Sequence, residues 1–294
     1  MRNHKLIGTG VALITPFDKN GEVNVASLES LVDYQVDNGI DYLVVLGTTG
    51  ESVTLNPDEK KVVIETVIKA NAGRLPLVLG MGSNHTKSIV ENIKHTDLSA
   101  FEAILSVSPF YNKPTQAGIY EHFKAIAQAT DKPIILYNVP GRTASNIAVE
   151  TVVNLAQDFD NIIGVKEAAG SIVQAYEMVR QTPKDFMVIS GEDILTLPMV
   201  LGGGVGVISV IGQAFPKAFS DMVRLGLAGK NEKAFEIHHK MTPAMKMIFE
   251  QGNPAGVKAI LKHLNLAQDH LRLPLVNIDE GLEKRLVDFT KNFK

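Results

Sequence analysis

The chain has 294 residues, of which 45% are hydrophobic and 21% charged, so it can bury a substantial core and is too apolar to remain disordered. Its 29 Lys and Arg against 32 Asp and Glu give a formal net charge of −3, with no basic run long enough to follow a phosphate backbone, which excludes nucleic acid as an expected partner. With no Cys, disulfides, thiol nucleophiles and thiolate metal sites are excluded together.

The first residues, Met1-Arg2-Asn3-His4-Lys5, precede an apolar run broken by Gly8 and Gly10 and stopped at Pro16 and Asp18. Without a small-residue cleavage site this does not read as a leader, and a cytoplasmic protein is expected. Eight short apolar runs then recur, at 11–14, 42–46, 77–79, 103–107, 134–137, 162–165, 186–189 and 205–210. They are apolar on both faces, as parallel strands covered by helices should be. Helices are expected between them at 27–37, 58–70 behind Asn56-Pro57, 86–94, 117–129 and 148–156. The stretch 194–216 carries no charge and is about as long as a bilayer-spanning helix, but Gly202, Gly203, Gly204 and Gly206 make it read as a buried helix, a glycine turn and a buried strand. After about residue 225 the strand signal stops and helical stretches follow near 230–250, 254–264 and 279–292, to pack on the barrel or to build a subunit interface.

Eight βα units in about 225 residues fit a closed (β/α)₈ TIM barrel of the α/β class, over residues 1–224, with a C-terminal helical appendage over 225–294. Polar and glycine residues follow several runs, at 47–51, 108–114, 138–143, 166–167 and 190–193, as a barrel mouth requires. A doubly wound sheet would gather them at one crevice with a phosphate loop, and neither a P-loop nor G-x-G-x-x-G is present.

Lys166 directly follows the apolar run 162–165, where burial disfavours an ammonium and a free amine is a nucleophile toward carbonyls. The competing reading is a lysine paired with Glu167 at the rim. Tyr137 ends the preceding strand and would share a face with Lys166, as a proton relay or as core packing with a wet hydroxyl. Arg142 suits a bidentate carboxylate clamp or a solvated loop charge. Gly47-Thr48-Thr49-Gly50-Glu51 offers hydroxyls and backbone donors to a small carboxylate, or is an ordinary turn in which Glu51 holds backbone donors. The pair His238-His239 is an unsuitable metal motif, since adjacent helical residues point about 100° apart.

Taken together, GTTGES at 47–52, SPFYNKP at 108–114, YNVPGRT at 137–143, GVKEA at 164–168, SGED at 190–193 and GGGVGVISV at 202–210 resemble the dihydrodipicolinate synthase and N-acetylneuraminate lyase family. The likeness runs in order along nearly the whole chain, through Asn253-Pro254 and Leu271-Arg272-Leu273-Pro274. The double threonine and the arginine of NVPGRT resemble the synthase branch, because sialic-acid lyases resemble GSTGE there and lack that arginine. The resemblance implies a barrel without cofactor or metal that condenses pyruvate with L-aspartate 4-semialdehyde by a class I aldolase mechanism. It implies a Schiff base on Lys166, proton shuttling by Tyr137, and Thr48 linking Tyr137 to Tyr111 of a neighbouring subunit. Thr49 matches a ligand of the pyruvate carboxylate, Arg142 the clamp at the aldehyde substrate's entrance, and Gly191 and Ile208 backbone contacts near the lysine. A homo-oligomer is implied, a tetramer built as a dimer of dimers.

From the residues alone there is only an amine-bearing barrel face with carboxylate-binding groups. A related 2-keto-acid aldolase, such as N-acetylneuraminate lyase or a 2-keto-3-deoxy sugar acid aldolase, and a non-catalytic metabolite-binding protein stay open on that ground. Members of the family inhibited by lysine resemble one another at an interface pocket with a glutamate, a tyrosine, an asparagine and histidines. Here Asn84 is kept, but Ser88, Phe110, Pro57 and Lys60 occupy the other positions, so weak or absent inhibition by L-lysine is expected.

Overall fold

The computed structural model describes residues 4–293; Met1, Arg2 and Asn3 of the segment assessed above as a leader lie outside the described residues. Strands and helices alternate: β1 (Gly8–Ala12), α1 (Val25–Asp37), β2 (Tyr42–Val45), α2 (Pro57–Asn71), β3 (Leu77–Gly80), α3 (Thr86–His95), β4 (Ala103–Val107), α4 (Gln116–Ala127) and β5 (Ile134–Asn138). They continue as α5 (Pro140–Thr143), α6 (Val149–Asp158), β6 (Ile162–Glu167), α7 (Ile172–Gln181), β7 (Met187–Ser190), α8 (Thr196–Leu201), β8 (Gly206–Ser209) and α9 (Pro216–Leu227). Three helices follow, α10 (Asn231–Met247), α11 (Ala255–His263) and α12 (Glu280–Asn292). The strands form a closed parallel barrel in sequence order, with β8 paired to β1. The expected (β/α)₈ barrel with a helical appendage is therefore the observed fold.

Local chemistry sets the element ends. Asn56 accepts from the Glu59 N–H at 2.9 Å while Glu59 accepts from the Asn56 N–H at 2.8 Å, a capping box that starts α2 with Pro57 in its first turn. The uncharged stretch forms α8, a glycine turn and β8, as its glycines indicated. Among the described residues, no helix is long and apolar enough to cross a membrane.

The first strand lies earlier than the expected 11–14, at Gly8–Ala12, because Gly8 and Gly10 belong to it. A Cβ on Gly10 would sit 2.2 Å from the Tyr42 ring, which fills the barrel interior and donates its hydroxyl to Val207 O at 3.1 Å. The glycine that breaks the apolar pattern is what lets a buried tyrosine pass over β1 and reach β8. Inside the barrel Tyr42 packs in one cluster with Val44, Leu105, Ile135, Met187 and Ile208, so the interior is solid and the space for a ligand lies at its mouth.

The appendage packs on the barrel. Met241, Met245, Ile248, Val257 and Ile260 join the same apolar cluster as Leu28, Leu31 and Phe219 of the helical ring. Lys258 of α11 reaches Glu51 at 2.5 Å with both side chains essentially out of solvent, and it also donates to His270 O at 2.8 Å. Burial lowers the Lys258 pKa and the Glu51 carboxylate works against that shift. Removing one partner of such a pair strands the other charge, at a cost of about 3–5 kcal/mol. Lys258→Met should thus lower the free energy of urea unfolding by about that amount, and Glu51→Gln added to it should restore part of the loss. A single-variant loss below about 1 kcal/mol would show the pair to be hydrated.

Candidate active site

The residues at the C-terminal ends of the strands surround a cavity of about 930 Å³, whose walls include Thr48, Val107, Phe110, Tyr137, Arg142 and Lys166. From this mouth it continues between α2 and α3, past Lys60 and Asn92.

Lys166 lies within β6, one residue beyond the expected strand, and is 5% exposed. Tyr137 stands opposite it in the β5–β6 register, and the Lys166 Nζ lies 4.3 Å from the centre of the Tyr137 ring. The strand pleat sends Lys166 inward and Glu167 outward, so the competing pairing of the two does not form. Among the described residues, Lys166 has no carboxylate ion-pair partner. Gly191, at the end of β7, stands against the lysine: a Cβ there would lie 3.0 Å from Lys166 Cε and 2.6 Å from Ala168 Cβ. Its lack of a side chain gives the lysine stem its room. Ile208 on β8 is fully buried in the interior cluster with Tyr137 and Ile189.

The turn after β2 is arranged by contacts from far along the chain. Thr48 is exposed and faces the cavity, whereas Thr49 is 3% exposed behind it, its hydroxyl accepting from Asn253 Nδ2 at 2.9 Å. Thr15 donates to Gly50 O at 2.7 Å, and Glu51 accepts from the Arg272 N–H at 3.2 Å as well as from Lys258. The expected backbone-holding role of Glu51 is thus realised by one backbone donor and one buried ammonium.

Arg142 is exposed on the one-turn helix α5 and lines the cavity. Tyr111 is 88% exposed with φ 73°, its N–H directed at Thr143 O at 3.4 Å, and it does not line the cavity. Lys166, Tyr137, Thr48 and Arg142 are therefore brought together around one cavity, while Tyr111 is not part of its wall. His238 and His239 sit with ring centres 5.6 Å apart at 73°, His239 stacked on Phe235, and their geometry is that of aromatic packing.

Two acidic groups lie close enough to interact electrostatically with Lys166. Asp193 is buried and accepts from the Ser209 hydroxyl at 2.6 Å and the Ile211 N–H at 2.9 Å; burial raises its pKa despite these bonds. Burial also raises Glu192, followed by the repulsion of Asp193. Sequence reasoning missed the parts played by Asp193, Asn253 and Lys258. Only Lys258 carried a signal, as a lone charge inside the apolar helical run at 255–261.

Against known proteins, the Dihydrodipicolinate synthetase family profile matches residues 5–292. The chain is 60% identical over 285 residues to the 4-hydroxy-tetrahydrodipicolinate synthase of Flavobacterium psychrophilum, covering 97% of each chain. It superposes on the dihydrodipicolinate synthase of Thermotoga maritima with a TM-score of 0.95, at 41% identity over 98% of both chains. The chloride-inhibited dihydrodipicolinate synthase from Acinetobacter baumannii complexed with pyruvate superposes with a TM-score of 0.94, at 36% identity over 97% of this chain and 98% of that one.

Proposed function

The chain belongs to the dihydrodipicolinate synthetase family, and we propose that it catalyses the 4-hydroxy-tetrahydrodipicolinate synthase reaction, joining pyruvate to L-aspartate 4-semialdehyde through an imine on Lys166. The observation that carries this is the buried Lys166 amine beside the Tyr137 ring, without an ion-pair partner among the described residues, opening on a cavity that Arg142 also lines. A relative of the same family is complexed with pyruvate, which supports the first substrate. The pathway served is diaminopimelate and lysine biosynthesis, and a cytoplasmic location suits it.

The amine adds to the ketone carbon of pyruvate and water leaves, giving an iminium. Loss of a proton from the adjacent methyl carbon gives an enamine, whose carbon attacks the aldehyde carbon of the second substrate while that oxygen takes a proton. The amino group of the second substrate then replaces Lys166 at the iminium carbon, closing the ring and releasing the lysine. The Tyr137 phenol, next to Nζ, carries these protons. Thr49 keeps its hydroxyl hydrogen for the pyruvate carboxylate, because Asn253 donates to its oxygen. Thr48 at the cavity wall passes protons from Tyr137 to Tyr111 of a neighbouring subunit. Gly191 and Ile208 present backbone groups near the lysine, and Arg142 clamps the carboxylate of the aldehyde substrate. No cofactor or metal enters these steps.

This relay requires an oligomer, and the surface supports one. Val53 and Tyr111, 87% and 88% exposed, flank the mouth, while Val173 and Tyr176 of α7 with Leu201 of α8 expose a second apolar patch. Two separate self-associating surfaces fit a tetramer built as a dimer of dimers. Residues 1–224 carry the barrel in this proposal, and residues 225–294 form the helical segment that braces its mouth.

Arg142→Ala should lower kcat/KM for aspartate semialdehyde by roughly a hundredfold and leave imine formation with pyruvate intact. Equal loss in both half-reactions would make the arginine structural. L-Lysine should inhibit weakly or not at all, because Pro57, Lys60 and Phe110 line the pocket and Ser88, its hydroxyl bonded to His85, stands where inhibited members of the family carry the glutamate that would meet the effector's ammonium. Initial rates titrated with lysine test this, and half-inhibition below millimolar lysine would contradict it.

A further inference from the structure

On the outer side of β6, one residue past Lys166, the Glu167 carboxylate is buried between the barrel and α7. Oε1 accepts from the Ala169 N–H at 2.6 Å, and Oε2 accepts from Asn138 Nδ2 at 2.9 Å and Gln174 Nε2 at 3.3 Å. Burial raises its pKa, with these three donors working against the rise. Asn138 stands opposite Glu167 in the β5–β6 register. Because the carboxylate accepts only, it compels Asn138 to turn its amide nitrogen toward Glu167, which leaves Oδ1 to accept from the Ile147 N–H at 2.9 Å. The same Nδ2 also reaches Asn146 Oδ1 at 2.8 Å. Asn146 and Gln174 then exchange two hydrogen bonds, at 3.0 and 3.1 Å.

These four side chains close the segment 139–147 onto the ends of two strands, and Arg142 lies in the middle of that segment. Its other side is held by Thr143 Oγ1 donating to Ser145 O at 2.8 Å and by the Ser108 and Ser145 hydroxyls, 3.2 Å apart. An exposed arginine has no packing of its own to fix it, so the anchoring of its backbone sets where the guanidinium can reach.

We propose that Glu167 is a positioning residue for the second substrate: through Asn138, Gln174 and Asn146 it sets the height of segment 139–147 over the mouth and so places Arg142 against the carboxylate of the aldehyde. The inference rests on the role of Arg142 given under the proposed function. A glutamine at 167 keeps the size but turns an NH₂ toward one of the three donors, so the network fails by chemistry and not by volume. Asn146 is exposed, so its truncation loosens the same segment without touching the core.

The test measures kcat, the KM for aspartate semialdehyde and the pyruvate concentration that half-saturates borohydride trapping, in Glu167→Gln, Asn146→Ala and each combined with Arg142→Ala. In both single variants the KM for the aldehyde should rise roughly tenfold, while kcat and the pyruvate half-saturation stay within about twofold. In the Arg142→Ala background neither change should raise the KM further. An unchanged aldehyde KM in both variants, beside a raised one in Arg142→Ala, overturns this proposal alone. So does a pyruvate half-saturation that moves as far as the aldehyde KM, or an effect that adds fully to Arg142→Ala. An unchanged KM in Arg142→Ala itself overturns the role of the arginine, and the positioning role falls with it.

Discussion

The buried ion pair between Lys258 and Glu51 joins residues 207 positions apart, and the geometry of the site's first turn depends on it. Leu46 and Glu51, at either end of that turn, adopt φ of 57° and 51°, a left-handed conformation that costs residues with a side chain about 1–3 kcal/mol each. Such a turn persists only when held from outside. The C-terminal segment grips it at Thr49 through Asn253 and at Glu51 through Lys258 and the Arg272 N–H, while Thr15 secures Gly50 between them. Arg272 and Lys258 also lie over the Phe17 ring, at 4.5 and 4.4 Å from its centre, which closes the clamp on an apolar surface. The appendage is thus part of what shapes the site, although among the described residues it contributes none to the cavity wall beside Lys166.

A second constraint is the filled interior of the barrel. With Tyr42 lying over Gly10 and the interior cluster packed around it, ligand can gather only where the strands end. There the two-residue period of a strand does the sorting. Tyr137 and Lys166 face the cavity together, and Asn138 and Glu167, one residue on, face the helices together. The chemistry and the network that supports it are therefore written on opposite faces of the same two strands.

Much of this was legible in the sequence. Apolar runs without alternation gave the strands of a covered parallel sheet, and Asn56-Pro57 marked the start of α2 because capping is a local interaction. The first strand was displaced because glycines carry no apolar signal, although the interior needs them. Lys166 and Tyr137 were found because a lysine and a tyrosine at apolar strand ends are locally anomalous. The partners of Glu51 and Thr49 were not, since Lys258 and Asn253 lie more than 200 residues away and only the closed fold brings them near. Whether Lys166 pairs with Glu167 could not be decided from adjacency, and strand geometry answers it by placing them on opposite faces.

The central claim is that the amine of Lys166 is the nucleophile that captures pyruvate. Reduction with borohydride in the presence of pyruvate, followed by peptide mass spectrometry, tests it most directly. The account predicts one reduced adduct, carried by the peptide that contains Lys166, and its loss in Lys166→Ala. An adduct on any other lysine, or no adduct from folded protein, would contradict the account.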